Sequence, residues 1–194
     1  MTGIASYVKK YIEETKSALL DGYLADGIGK VVPVLLKARK ASRSIFFFGN
    51  GGSASTASHF VVDIGKATMH GDKRRFRCIA LVDNVESVTA WANDMDYSRV
   101  FSEQLVGLAQ RGDVAVGISG SGNSPNVLRA VEAAHLLGLT TIGLTGMGGG
   151  RLKELVDIPI VVPSNSMQHI EDVHLLICHL LTAYLRDEAP APTT

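Results

Sequence analysis

Cysteine is scarce in this chain. Cys78 and Cys178 are its two, 100 residues apart in apolar surroundings, whereas disulfide scaffolds and zinc ribbons use closely spaced sets. Both are expected as reduced core thiols. A surplus of charge is missing as well, because 19 Lys and Arg meet 19 Asp and Glu. Nothing is left over to condense on a phosphodiester backbone or an anionic lipid surface, so neither nucleic acid nor a membrane is an expected partner. No apolar run approaches the ~18 residues of a membrane-spanning segment. The opening 20 residues are interrupted by Lys and Glu and lack the continuous apolar stretch of a secretory leader. A cytoplasmic chain is the expectation.

What is present suits a folded domain. The 194 residues are 46% hydrophobic and 20% charged, close to the soluble average and of a length for one core rather than two. Up to about residue 42, Ile4, Val8, Tyr11, Ile12, Leu19, Leu20, Val31, Val34 and Leu35 recur at helical spacing, broken by Gly22, Gly27 and Gly29. Two leading helices are predicted. The pattern then changes to short apolar runs at 45–48, 78–82, 114–118, 141–144 and 158–162, each reading as a strand buried on both faces. Helical stretches are predicted near 53–67, 97–110, 124–138, 150–156 and 167–187. This alternation specifies an α/β fold: a doubly wound, about five-stranded parallel sheet flanked by helices. A single domain over 1–187 is expected, with helices over 1–42, an α/β core over 43–187 and a mobile tail at 188–194.

In an open parallel sheet, ligands bind where the carboxyl ends of the strands meet their loops. Two loops stand out. The first, Gly49-Asn50-Gly51-Gly52-Ser53, turns from a strand into a helix, with glycines for close backbone approach and Ser53 expected to cap the helix. It matches neither the dinucleotide fingerprint nor the phosphate loop ending in Gly-Lys-Ser/Thr. Alone, it is as consistent with a tight turn as with an anion site. The second, Ile118-Ser119-Gly120-Ser121-Gly122-Asn123-Ser124, also enters a helix, with Pro125 suited to its first turn. Three serines in six residues, with helix-terminal amides, can wrap a phosphate monoester without an arginine. A small phosphorylated metabolite fits such a cradle.

Taken with Asn93-Asp94 and Leu144-Thr145-Gly146, these loops resemble the sugar isomerase (SIS) fold, and within it most closely the phosphoheptose isomerases, over about residues 1–187. The resemblance implies an aldose–ketose isomerase that converts sedoheptulose 7-phosphate to D-glycero-D-manno-heptose 7-phosphate or a stereoisomer. It implies that Asn50, Gly51, Gly52, Ser53, Ser119, Gly120, Ser121 and Ser124 bind the substrate and that Asn93 and Asp94 contact its sugar. A homotetramer with sites at subunit junctions is implied as well. The broad apolar stripes of the first two helices and the last one are compatible with that assembly.

Aldose–ketose isomerisation needs a base at the carbon, an acid or metal at the carbonyl, and a firm hold on the phosphate. His59 and Asp63 lie four apart on one predicted helix face, a spacing able to chelate a metal. Glu171 and His179 lie two turns apart on the last helix, about 12 Å by helix rise. Metal-binding members of the resembled family use a His and a Glu on the first of these helices, and a Gln and a His on the last. By that resemblance His59, Asp63, Glu171 and His179 are the expected ligands of a divalent metal such as zinc, with Asp63 replacing Glu and Glu171 replacing Gln. Asp63 or Glu171 is the expected base and His179 the acid. His169 and His174 match no catalytic position and are expected as structural residues. The rival expectation is a non-catalytic SIS-fold protein that binds a replication initiator or senses a sugar phosphate.

Overall fold

The computed structural model describes residues 3–19, 22–69 and 74–187; the tail expected to be mobile lies outside them. Each apolar run forms a strand: β1 Ser44–Gly49, β2 Arg77–Ala80, β3 Val114–Ser119, β4 Thr140–Thr145 and β5 Ile158–Val161. All pairings are parallel and the order is β2-β1-β3-β4-β5. Helices α1 Ile4–Leu19 and α2 Gly22–Lys40 precede the sheet. The helices α3 Gly52–Ala67, α4 Val85–Asp94, α5 Ser102–Leu108, α6 Pro125–Leu136, α7 Gly150–Leu155 and α8 Met167–Asp187 then alternate with the strands.

Side chains alternate across a strand, so a run that is apolar at every position must be covered twice. Ile45 and Phe47 of β1 enter a core formed with α1, α2, α3 and α8, while Phe46 and Phe48 enter one formed with α4, α5, α6 and α7. Sequence patterning missed three details. Helix α2 runs through Gly27 and Gly29 instead of breaking there, because Gly27 lets it settle on the sheet edge. A Cβ at Gly27 would stand 3.2 Å from Ile160 Cγ1 and 3.4 Å from the Pro159 carbonyl. The stretch 97–110 is not one helix. A 3-10 turn at Tyr97–Arg99, begun by Asp96 accepting from Ser98 N–H, gives way at buried Val100 and Phe101 to α5. The segment 85–94 is a full helix whose Asn84 side chain accepts from Ser87 N–H.

The chain leaves β1 toward β2 on one side and leaves β3 toward β4 on the other, so the order reverses between β1 and β3. That is where an open α/β sheet opens a crevice at its carboxyl edge. Gly49 pairs in register with Ile118, which sets the two singled-out loops level with each other at the opening.

Candidate active site

The serine loop is held from behind. Gly120 carbonyl accepts from Gly146 N–H at 2.9 Å and Gly122 carbonyl from Leu152 N–H at 2.9 Å, which binds the loop after β3 to the turn after β4. Gly122 has φ +66°, and a Cβ there would collide with the Gly149 carbonyl. Only glycine meets both demands. Ser124 stands at the N-cap of α6 without bonding its amides, and Pro125 is the first helical residue. The Ser124 hydroxyl instead lies 3.0 Å from that of buried Ser119. Ser121 Oγ accepts from Asn123 N–H at 3.2 Å, and the Asn123 amide donates to the Ser121 carbonyl at 2.9 Å. Met147–Gly149 is a 3-10 turn anchored by Met147 N–H on the Ser164 carbonyl at 2.9 Å.

The glycine loop is equally tight. Gly51, at φ +55°, is the N-cap of α3 and offers no side chain. Ser53, expected as that cap, lies inside the first turn and is buried. The α3 amides therefore begin after a residue whose own side chain cannot cap them, which suits an anion. Asn50 and Asn126 exchange amide hydrogen bonds, both 2.8 Å, across the two loops. Tyr97 hydroxyl donates to Asn50 Oδ1 at 3.0 Å. Asn93 and Asp94 sit exposed at the end of α4, bonded to each other at 2.8 Å, three residues before Tyr97.

Two turns along α3 a second group converges. His59 Nε2 is 3.1 Å from Asp63 Oδ2 and 3.0 Å from His179 Nε2, and His179 Nε2 is 3.7 Å from the same carboxylate oxygen. The imidazoles meet edge to face at 67°. Zinc bonds of about 2.0–2.2 Å put tetrahedral N and O donors about 3.4 Å apart, so the three separations bracket those of a shared ion. Two imidazole nitrogens and one carboxylate oxygen face one small volume here, and these are donor types that zinc takes. The donor set therefore fits a divalent metal. The side chains of His59 and His179 are 41% and 53% exposed, so the group is open on one side.

Glu171 is elsewhere. A Cβ on Gly52 would collide with the Glu171 carboxylate, which therefore rests against the first turn of α3, where the helix dipole favours it. Since Gly52 meets Glu171 and His59 meets His179, α3 and α8 run side by side in the same direction. The 7-residue and 8-residue spacings keep both ends in step, about 10–12 Å apart. Along α8, Glu171 and His179 stand about two helical turns apart. Behind the imidazoles lies Cys178, whose sulfur is within 4.8 Å of the ligand atoms of His59 and Asp63. Burial first, and then the Asp63 charge, pushes its thiol up to about 12.

The other last-helix histidines are structural. His174 is buried, its Nε2 lies 3.3 Å from the Thr145 carbonyl, and burial lowers it to about 4, so it is neutral. His169 bonds Thr15 at 2.7 Å and faces Glu14 at 3.3 Å. Sequence reasoning missed Asn126, Tyr97 and the proximity of Cys178 to His59 and Asp63. Asn126 follows the serine motif directly and Cys178 precedes His179, so both carried a local signal; Tyr97 carried none.

Comparison with known proteins agrees with this architecture. The SIS domain family model matches residues 7–146. A phosphoheptose isomerase from Aliarcobacter butzleri is 38% identical over 186 residues, covering 89% of this chain and 98% of the relative. The structure of phosphoheptose isomerase GmhA from Neisseria gonorrhoeae superposes with a TM-score of 0.87 at 30% identity, over 95% of this chain and all of that one. A phosphoheptose isomerase from Francisella tularensis superposes equally, at 0.87 and 29% identity, over 96% of this chain and all of its own. This chain belongs to the SIS domain family and, within it, to the phosphoheptose isomerases. Among the described residues no helix is long and apolar enough to cross a membrane.

Proposed function

We propose that this chain interconverts a ketose phosphate and an aldose phosphate, taking sedoheptulose 7-phosphate to D-glycero-D-manno-heptose 7-phosphate or a stereoisomer. The observation that carries the proposal is the pairing of an anion-binding rim with an imidazole–carboxylate cluster two helical turns away. In it, Ser53, Ser119, Ser121 and Ser124, with the backbone at Asn50, Gly51, Gly52 and Gly120, hold the phosphate. Asn93 and Asp94 contact sugar hydroxyls. In the ketose-to-aldose direction Asp63 removes a proton from C1 while His179 protonates the C2 carbonyl oxygen. The resulting enediol becomes the aldose when the proton returns to C2 and O1 gives up its hydrogen to His179. One Asp63 oxygen faces the imidazoles, which leaves the other for the substrate. A divalent ion held by His59, Asp63 and His179, zinc being the best match to these donors, supplies a positive charge that polarises the carbonyl. Glu171, against Gly52, is the second candidate base.

Sedoheptulose 7-phosphate incubated with the protein and Zn²⁺ gives aldoheptose signals by NMR, and Asp63→Asn lowers kcat by about 10²-fold or more. Binding of the sugar phosphate without turnover, unchanged in His179→Ala, overturns the proposal in favour of a sensor. If Glu171→Gln rather than Asp63→Asn abolishes turnover, the base assignment moves to Glu171.

Exposed Ile4, Val8 and Ile12 on α1 and Leu176 and Leu180 on α8 support a homotetramer in which further copies cover these helices. Light scattering reads four chain masses if so and one if not. The free thiols of Cys78 and Cys178 suit the reducing cytoplasm as the place of action.

A further inference from the structure

The rim carries a chain of hydrogen bonds whose direction is fixed at one end. Val127 N–H belongs to the first turn of α6, where a helix leaves its amides without intrahelical partners, and it donates to Asn126 Oδ1 at 3.0 Å. A main-chain amide can only donate, so that oxygen cannot change places with the Asn126 nitrogen. The constraint travels outward. Asn126 Nδ2 donates to Asn50 Oδ1, and Asn126 Oδ1 accepts from Asn50 Nδ2, both at 2.8 Å. Since Asn50 Oδ1 only accepts, Tyr97, 3.0 Å away, spends its one hydroxyl hydrogen on it. What the Tyr97 oxygen has left is lone pairs.

Tyr97 is also held firmly. It opens the 3-10 turn Tyr97–Arg99, in which Asp96 accepts from Ser98 N–H at 2.8 Å, Arg129 of α6 donates to the Ser98 hydroxyl at 2.9 Å, and Arg99 pairs with Glu103 of α5 at 3.2 Å. Val100 and Phe101, which follow, are buried, whereas Tyr97 itself is 53% exposed. A fixed base thus presents a half-exposed ring whose oxygen stands at the glycine loop.

We propose that Tyr97 is a specificity-determining residue, its hydroxyl oxygen accepting a hydrogen bond from the substrate hydroxyl next to the phosphate-bearing carbon, on C6 of a heptulose 7-phosphate. This assignment rests on the isomerase reading above and adds a sugar contact to it. The place follows from Asn50, which lies between Gly49 and Gly51 in the loop that holds the phosphate, so the Tyr97 oxygen stands at the phosphate end of the site. The imidazoles are about two helical turns away. Polarity decides the kind of group. A ligand atom meeting these lone pairs has to donate, which a sugar hydroxyl does and a phosphate dianion, with no hydrogen to offer, does not. Asn50 Nδ2 uses one hydrogen on Asn126 and keeps the other for an acceptor, so the phosphate falls to Asn50 and the hydroxyl to Tyr97. Donation into Asn50 polarises the phenol and strengthens its oxygen as an acceptor.

The test compares sedoheptulose 7-phosphate with its 6-deoxy analogue on the wild type and on Tyr97→Phe, by calorimetric binding and by turnover. The wild type binds the 6-deoxy analogue about 10-fold more weakly, as expected for one lost hydrogen bond. That comparison needs no variant. Tyr97→Phe, which removes a single oxygen from a half-exposed ring, binds the two compounds equally, raises KM for the heptulose about 10-fold and lowers kcat less. Inorganic phosphate keeps its affinity for the variant. No preference in the wild type, or a preference that survives in Tyr97→Phe, overturns Tyr97 as the reader of that hydroxyl. An equal loss for inorganic phosphate and for the heptulose overturns it as well, because the phenol then acts only through Asn50. Should the binding pattern hold while no aldose forms, the Tyr97 contact stands and the isomerase reading falls.

Discussion

Asn126 is 1% exposed, and its amide is committed on both sides to Asn50. Each partner donates once and accepts once, at 2.8 Å, so the glycine loop cannot shift without breaking both bonds. Truncation to Ala leaves half-buried Asn50 without its Asn126 partner and the buried Val127 N–H without its Asn126 Oδ1 acceptor, and an unsatisfied buried polar group costs about 1–3 kcal/mol. Asn126→Ala is therefore expected to lower urea-unfolding stability by that amount and to raise KM for the sugar phosphate more than it lowers kcat. An unchanged KM would mean that the pair is structural only. Residues whose chemistry is declared by near neighbours, such as Ser119, Ser121 and Ser124 or His59 with Asp63, were legible in the sequence. Asn126 was not, because its partner is 76 positions away and a Pro-Asn pair at a helix start has its own local explanation. Cys178 read as a core thiol for the same reason; its burial is real, and only the packing of α3 reveals what it faces.

At the level of elements, all five strands were legible because a parallel sheet covered on both faces leaves an unbroken apolar signature. Helices were less so. Glycines at 27 and 29 looked like breaks, yet α2 continues because Gly27 faces β5 at van der Waals distance. Local propensity yields to tertiary packing there. The break within 97–110 had the opposite cause, since Val100 and Phe101 are apolar enough to extend a helix but are drawn into the core below α6. Ser53 was misjudged as a cap because the true cap, Gly51, has no side chain to announce it. The clearest element-scale prediction concerns the turn after β3. Gly122→Ala forces a Cβ into the Gly149 carbonyl at a positive φ, so the loops after β3 and β4 cannot both keep their conformation. The variant is expected to lose several degrees in Tm and nearly all affinity for inorganic phosphate, measured by calorimetry. Retained affinity would remove the serine loop from the phosphate site.

On the scale of the whole molecule, fold and family were readable from the loops and the strand pattern, whereas the fate of Glu171 was not. Spacing along one helix says how far apart two residues stand, but not which neighbour each one meets. That pairing depends on α3 and α8 running in step, and this in turn gives the protein a built-in gauge. The rim and the imidazole cluster are about 10 Å apart by helix rise. With carbon–carbon bonds of about 1.5 Å, an extended seven-carbon chain and its ester oxygen bridge a similar length, while a five-carbon chain falls short. Ketopentose 5-phosphate is therefore expected to bind through its phosphate yet turn over at least ~10²-fold more slowly than the heptulose, read as the ratio of kcat values. Equal turnover would show that the two ends are not engaged at once. Two rigid rods lying abreast thereby set how long a sugar must be before its head and tail can both be grasped.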